Sequence, residues 1–331
     1  MKQVLKLFIL AAVALLAFAC TKDNTASQKV AVLLPDASSI ERWAIDRANL
    51  ESAMAKYGFN TTVYTAPETA EGAVKQVEQL REAILDGAKF VVITAIDYKK
   101  INESGLLEKY PDVKVVCHDR FIQNNPRIAF LSSADTEEVG RMQAMFLLNH
   151  FHSSGAVSMT IELLQGPETD NNAKDYYEGA MFYLKKYIDS GELVVKSGKK
   201  EYSQVKSDSW AVADGKKAMK DRLASYAAGE RPDMVLCASD NLSQGAVEAL
   251  DEAGITDMPV ITGQDNSTAS QAYIRNHKQT MTIDKNLKDM AYNTAMIVNS
   301  LISNSPVQTS QSVSGIPVIY SKLTMVTIDS L

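Results

Sequence analysis

From Lys29 onward, short runs rich in valine and isoleucine alternate with longer segments of helical period, and the whole alternation occurs twice. In the first pass "KVAVLL", "TTVYT", "KFVVITA" and "VKVVCHD" are predicted strands. Leu50, Ala53, Met54 and Tyr57, then Ala73, Val77, Leu80 and Ile84, recur at the spacing of one helix face. The second pass has "AVSMTIELL", "ELVVKSG", "DMVLCAS" and "MPVITGQD", with helices predicted near 172–187, 211–226, 243–253 and 269–276. Strands that are apolar throughout must be covered on both faces, which requires a parallel sheet with helices above and below. Two such sets predict two doubly wound α/β domains, and 331 residues is a length that more often divides in two than stays whole.

Sheets of this kind bind ligands outside the carboxyl ends of their strands. The residues there are unusually polar: Asp36, Arg42 and Trp43 after the first strand, then Asp119 and Arg120, then Asp170, Asn171 and Asn172. The second half adds Asp240 and Asn241, Gln264 and Asp265, and Asp284 and Lys285. An anionic ligand would call for an excess of cations. Acids and amides alternating with Arg and Lys suit instead a neutral ligand with many hydroxyls, each donating to a carboxylate and accepting from a cation. A sugar fits, and its apolar C–H face fits the flat side of Trp43 or Trp210, the two tryptophans of the chain. Blander roles stand beside these: one of Asp170 to Asn172 as a helix N-cap, and Arg42 paired with Glu41 or Asp46 at a solvated helix end.

Composition removes several other functions. With 34 Lys and Arg against 40 Asp and Glu, the net charge is -6 and no basic face is expected, so nucleic acid is not an expected partner. No cysteine or histidine spacing forms a metal set, and no cofactor is expected. His150 and His152 are read as decoration of a helix end. Cys117 and Cys237 lie in apolar runs of different domains and are read as unpaired core residues. Ahead of the domains, Lys2 and Lys6 precede "LFILAAVALLAFA", too short to span a bilayer and ending in small residues. Residues 1–20 read as an export signal. An Ala-x-Ala cleavage site fits, and so does lipidation: "LAFA" followed by Cys20 resembles a lipoprotein signal with Ala17 where Leu is usual. Cys20 is the expected lipid anchor, 21–28 a polar tether, and the membrane face a periplasmic or extracellular one.

The strings "ERW" (Glu41 to Trp43), "HDR" (His118 to Arg120), "EEVGRMQA" (Glu137 to Ala144), "TDNNAKDYYEGAMFYLKKYIDSGELVVKSG" (Thr169 to Gly198), "ITGQD" (Ile261 to Asp265) and "QTMTIDK" (Gln279 to Lys285) occur in this order. Together they resemble the periplasmic sugar-binding proteins of ABC importers, a likeness running from about Lys29 to about Val326. The resemblance implies two domains joined by three crossovers, expected as 29–138 with 284–316, and 139–283 with 317–331. It implies a monosaccharide, an aldopentose or aldohexose, held by Arg42, Trp43, Asp119 and Arg120 from one side. Asp170, Asn172, Trp210, Asp240 and Asp265 would come from the other, with Lys285 at the return crossover. Arg42 would fork onto hydroxyls or the ring oxygen, and the two tryptophans would sandwich the ring. Three departures from the family pattern bear on affinity: Thr136 in place of a usual Asn, Ser239 before Asp240, and an end at Leu331 without the family's longer tail, which would leave the hinge without a packing segment.

Three functions share these features. A lipid-anchored receptor, expected as a monomer, would hand its sugar to a membrane permease with its ATPase. A glycoside hydrolase would need a carboxyl of raised pKa, and Arg120 beside Asp119 argues that the cleft carboxylates stay ionised. A sugar sensor for a membrane kinase or chemoreceptor would use the same closed form as a transporter subunit, whereas a repressor would need a DNA-binding headpiece where this chain has an export signal. The identity of the sugar and the choice between transport and sensing stay open at this level.

Overall fold

Strand β1 (Lys29–Pro35) is buried at every position but Lys29, and its side chains divide between two cores. Ala31 and Leu33 pack with Leu80, Ala83 and Ile84 on one face; Val30, Val32 and Leu34 pack with Leu50, Met54, Ala295 and Val298 on the other. That division is the period-2 alternation of a strand sandwiched between helices. The computed structural model describes residues 28–38, 40–309 and 311–331. Cys20, the leader and all of the tether but Gln28 lie outside the described residues.

β1 pairs in parallel with β2 (Asn60–Ala66) and β3 (Phe90–Ile93), and β4 (Lys114–His118) and β5 (Ile128–Ser133) extend the sheet. β2, rich in Asn and Thr, forms the half-exposed edge. The second sheet is also parallel, in the order β7 (Leu193–Val194), β6 (Met159–Leu164), β8 (Met234–Cys237), β9 (Val260–Ile261). β10 (Met281–Asp284) pairs antiparallel with β13 (Thr324–Thr327), while β11 (Ser312–Val313) and β12 (Ile316–Tyr320) join the first sheet beside β5.

Eight helices of eight residues or more cover these sheets among the described residues: α1 (Arg42–Lys56), α2 (Ala70–Leu85), α3 (Thr136–Ser154), α4 (Asn171–Ser190), α5 (Val212–Leu223), α6 (Asp240–Glu252), α7 (Thr268–Arg275) and α8 (Leu287–Ile302). α8 returns to pack on the first sheet, where Ala291, Ala295, Ile297 and Val298 join its core. The chain therefore crosses between domains three times: at Ala134–Asp135, at Lys285–Asn286 and at Ser321–Leu323. All three expected boundaries move. Residue 284 belongs to the second domain, because β10 runs through Asp284 in its pairing with β13. Residues 136–138 belong to the second domain, because α3 starts at Thr136 and packs along α4. Residues 317–320 belong to the first, because β12 hydrogen-bonds to β5 through Val318, Ile319 and Tyr320.

Cys117 and Cys237 are buried, unpaired and in different domains. Burial pushes both thiols up to about 12, which makes them inert packing groups.

Candidate functional site

The carboxyl ends of the strands meet between the domains, and each polar side chain there is set by the turn that follows its strand. Arg42 and Trp43 open α1. Asp119 follows β4 with φ 65 and Asp265 follows β9 with φ 106, a backbone region that costs energy in any residue but glycine and clusters at functional sites. Asp170 caps α4 by accepting from the Asn172 N–H, and Ser239 caps α6 by accepting from the Leu242 N–H.

Arg42 is the centre of a buried ion-pair network. Its guanidinium donates to Asp46 at 2.7 Å, Asp119 at 3.1 Å and, across the cleft, Asp265 at 3.1 Å. Lys285 stands 2.9 Å from Asp265, 3.4 Å from the Tyr176 hydroxyl and 4.0 Å from Asp119. Arg120 reaches Glu68 at 2.5 Å within its own domain and Asp170 at 2.8 Å in the other. The Glu41 pairing considered for Arg42 does not form; Glu41 instead accepts from Thr268 at 2.9 Å, another contact across the cleft.

Burial alone would raise the Asp119 carboxyl, but Arg42, Lys285 and Arg120 overcome it and hold this group far below the carboxylate range. Burial and the Arg42 charge oppose protonation of Lys285, yet Asp265, Tyr176 and Asp119 keep its ammonium more basic than an ordinary lysine. Asp240 departs from the expectation that all cleft carboxylates stay ionised. Burial and the Asp265 charge raise it to about 7 against the hydrogen bonds it accepts from Ser267, Thr282 and Gln279. Asp170 is also raised, by burial, with Arg120 opposing.

Six of the ten expected contact residues, Arg42, Trp43, Arg120, Trp210, Asp265 and Lys285, line a cleft that is drawn nearly shut, with a cavity of about 20 Å³. The other four stand behind it. Asp240 is turned into the second domain, where Ser267 N, Thr282 Oγ1 and Gln279 Nε2 hold it. Asp170 is taken by Arg120 and by Trp210 Nε1 at 3.0 Å, so it caps and positions at once. Asn172 Nδ2 donates to the Asp119 carbonyl at 3.2 Å and ties the two domains together. The Asp119 carboxylate is occupied by Arg42. The common reason is electrostatic: a buried carboxylate pairs with the nearest cation or N–H rather than face open space.

Both tryptophans are more buried than loop-entry positions suggest. Trp43 lies under the guanidiniums of Arg42 and Arg120, 4.5 and 5.0 Å from its ring centroid, and donates through Nε1 to Glu68 at 2.8 Å. Trp210 packs edge-on to Tyr176 and fits only because Gly166 has no side chain; a Cβ there would come within 2.1 Å of the ring. Thr136 donates to Asp175 at 3.0 Å. Ser239, the N-cap of α6, also borders the cleft.

Sequence reading had placed Gln264 and Asn241 after strands without counting them as contacts, yet both line the cleft. Gln264 Oε1 is buried there without a hydrogen-bond partner, as is Arg42 Nε. Glu68, in the loop between β2 and α2, was missed because nothing in its neighbourhood marks it. Among the described residues no cluster of three His, Cys, Asp or Glu side chains is placed to hold a metal, and no helix is long and apolar enough to cross a membrane.

Two facing α/β domains, three crossovers and a buried polar cleft between them define a hinged solute-binding protein. Residues 30–306 match the family described as periplasmic binding protein domain, and the chain belongs to that family. It is 31% identical over 309 residues to the multiple sugar-binding periplasmic receptor ChvE of Rhizobium radiobacter, covering 91% of this chain and 86% of that one. The D-xylose-binding periplasmic protein of Escherichia coli is 29% identical, with 79% of this chain and 74% of that one covered. Among solved structures, an ABC transporter solute-binding protein of Clostridium phytofermentans with bound β-D-glucose superposes with a TM-score of 0.85. It is 27% identical and covers 91% of this chain and 94% of that one. The chain is a binding protein of this periplasmic, exported class and not an enzyme.

Proposed function

We propose that this protein binds a single aldose in the interdomain cleft and delivers it to the permease and ATPase of an ABC importer, held at the membrane by a lipid on Cys20. The observation that carries the reading is the cleft wall. A buried donor, Arg42 Nε, and a buried acceptor, Gln264 Oε1, have no partner in the protein, and they sit with Asp265, Lys285 and two indoles around the cleft. A sugar hydroxyl answers a donor and an acceptor together. Xylose, glucose, galactose and arabinose are the candidates; the D-xylose-binding relative supports the first and the glucose in the similar structure the second. Charge-assisted hydrogen bonds of about 1.5–3 kcal/mol each reach micromolar affinity, about -8 kcal/mol, after the cost of closure. Sensing through a membrane kinase or chemoreceptor is the second reading, since it draws on the same closed form.

Calorimetric titration with xylose, glucose, galactose, arabinose and ribose tests it. Low-micromolar binding of at least one aldose, lost in Asp265→Ala, is expected. No heat from any of the five would remove the aldose assignment. Pull-down of membrane components with the sugar-loaded protein then separates a permease from a kinase.

A further inference from the structure

Beside the cleft, and sharing Arg120 and Trp210 with it, is a second cavity of about 220 Å³. It too lies between the domains: Glu68, Ala70, Ala73 and Ile96 come from the first, Pro167 and Trp210 from the second. It has room for a small flat group where the cleft is nearly shut, and its chemistry differs from that of the cleft. Ala70, Ala73, Ile96, Pro167 and the indole of Trp210 supply apolar walls. The two buried charges at the partition, Glu68 and Arg120, are already joined at 2.5 Å, and Arg120 also meets Asp170.

We infer that the cavity receives the aglycone of a glycoside whose sugar ring occupies the cleft. The inference rests on the proposed sugar binding and names the ligand more narrowly: a monosaccharide carrying a flat apolar substituent. Thr69, Asp97, Lys100, Thr169, Asp208 and Ser209 also line the cavity. A second sugar residue would have to draw on them for its hydroxyls, and most are engaged: Asp97 accepts from the Lys99 and Lys100 N–H groups, Lys100 pairs with Glu103, Asp208 with Lys217, and Ser209 donates to Asp214. An aromatic ring needs only apolar area and the face or edge of Trp210. Glu68 has a part on both sides of the partition. Its carboxylate fixes Trp43 and Arg120 for the cleft while its stem borders the apolar cavity.

The test is titration of the purified protein with free glucose and xylose, with their phenyl α- and β-glycosides, and with disaccharides of glucose. Each titration is repeated on Ala70→Phe, which fills the cavity from an exposed first helical position outside the ion-pair network. One phenyl anomer is expected to bind within about tenfold of the free sugar or tighter. Ala70→Phe is expected to weaken that glycoside at least tenfold, leave the free sugar within twofold and keep the thermal midpoint. Three results would overturn the inference: rejection of both phenyl anomers while the free sugar binds, equal loss of sugar and glycoside in Ala70→Phe, or a disaccharide bound more tightly than every phenyl glycoside. Silence from the free sugars would strike the proposed function itself, so the two failures are distinct.

Discussion

Arg42 contacts three carboxylates from one guanidinium, and among the described residues no other guanidinium does so. Lysine keeps the charge but offers one compact ammonium, so Arg42→Lys is expected to weaken sugar binding at least tenfold in a calorimetric titration. Binding unchanged in that variant would mean that the fork serves only to pair carboxylates. Asp240 gives a pH-dependent expectation. Its folded pKa, about 7, lies above the ordinary carboxyl range, so between roughly pH 4 and 7 the folded chain keeps a proton that the unfolded chain has released. The stabilisation from this group is complete below that window and is lost as pH rises through it. Urea unfolding should show stability falling with a slope of at most about 1.4 kcal/mol per pH unit, and Asp240→Asn should flatten it. A slope that persists in the variant would assign the titration elsewhere. The types and positions of the cleft residues were legible in the sequence, since polar residues after apolar strands stand out. Which of them face the ligand space was not, because Asp119 and Asp265 take left-handed backbone conformations and Asp240 turns inward to a neighbouring loop.

Among the elements, α3 and α4 cross with their backbones in close approach. Gly140 lies against the Tyr176 carbonyl and Gly179 against the Glu137 carbonyl, where added Cβ atoms would come within 2.1 and 2.0 Å. The paired glycines let two backbones touch and carry Tyr176 toward Lys285. Gly140→Ala is expected to destabilise the fold by about 1–3 kcal/mol through overpacking, read as a lower thermal midpoint. A midpoint unchanged within a degree would show that the helices separate without cost. The caps explain why these helices begin where they do: Asp135 accepts from the Glu138 N–H before α3, and Asn286 from the Asp289 N–H before α8. Helices α1, α2 and α4 to α7 were visible as periodic apolar faces. β12 and β13 were not, since they are short and mixed in composition and their neighbours in the sheet are distant in sequence; β5 was passed over too, its apolar run ending in two serines.

For the whole molecule, the two domains are tied across the cleft by Arg42–Asp265 at 3.1 Å, Arg120–Asp170 at 2.8 Å and Glu41–Thr268 at 2.9 Å. This is the closed arrangement, and a ligand that prefers it must shift the population toward it. Small-angle scattering is expected to show a smaller radius of gyration on addition of the bound sugar, and no change in Asp265→Ala. The same radius with and without sugar in the wild type would mean that the ion pairs keep the domains together unaided. By itself the sequence determined two α/β domains, a polar cleft at their strand ends and the family, because apolar period, strand order and local strings are carried by nearby residues. Only the tertiary structure decided where the chain changes domain, that Asp170 and Asp240 stand behind the cleft, that Glu68 pairs with Arg120 and Trp43 beside it, and that a second cavity adjoins it. Each of these depends on groups dozens to hundreds of residues apart in the chain, whose pairing is set by three-dimensional burial and charge rather than by any local pattern.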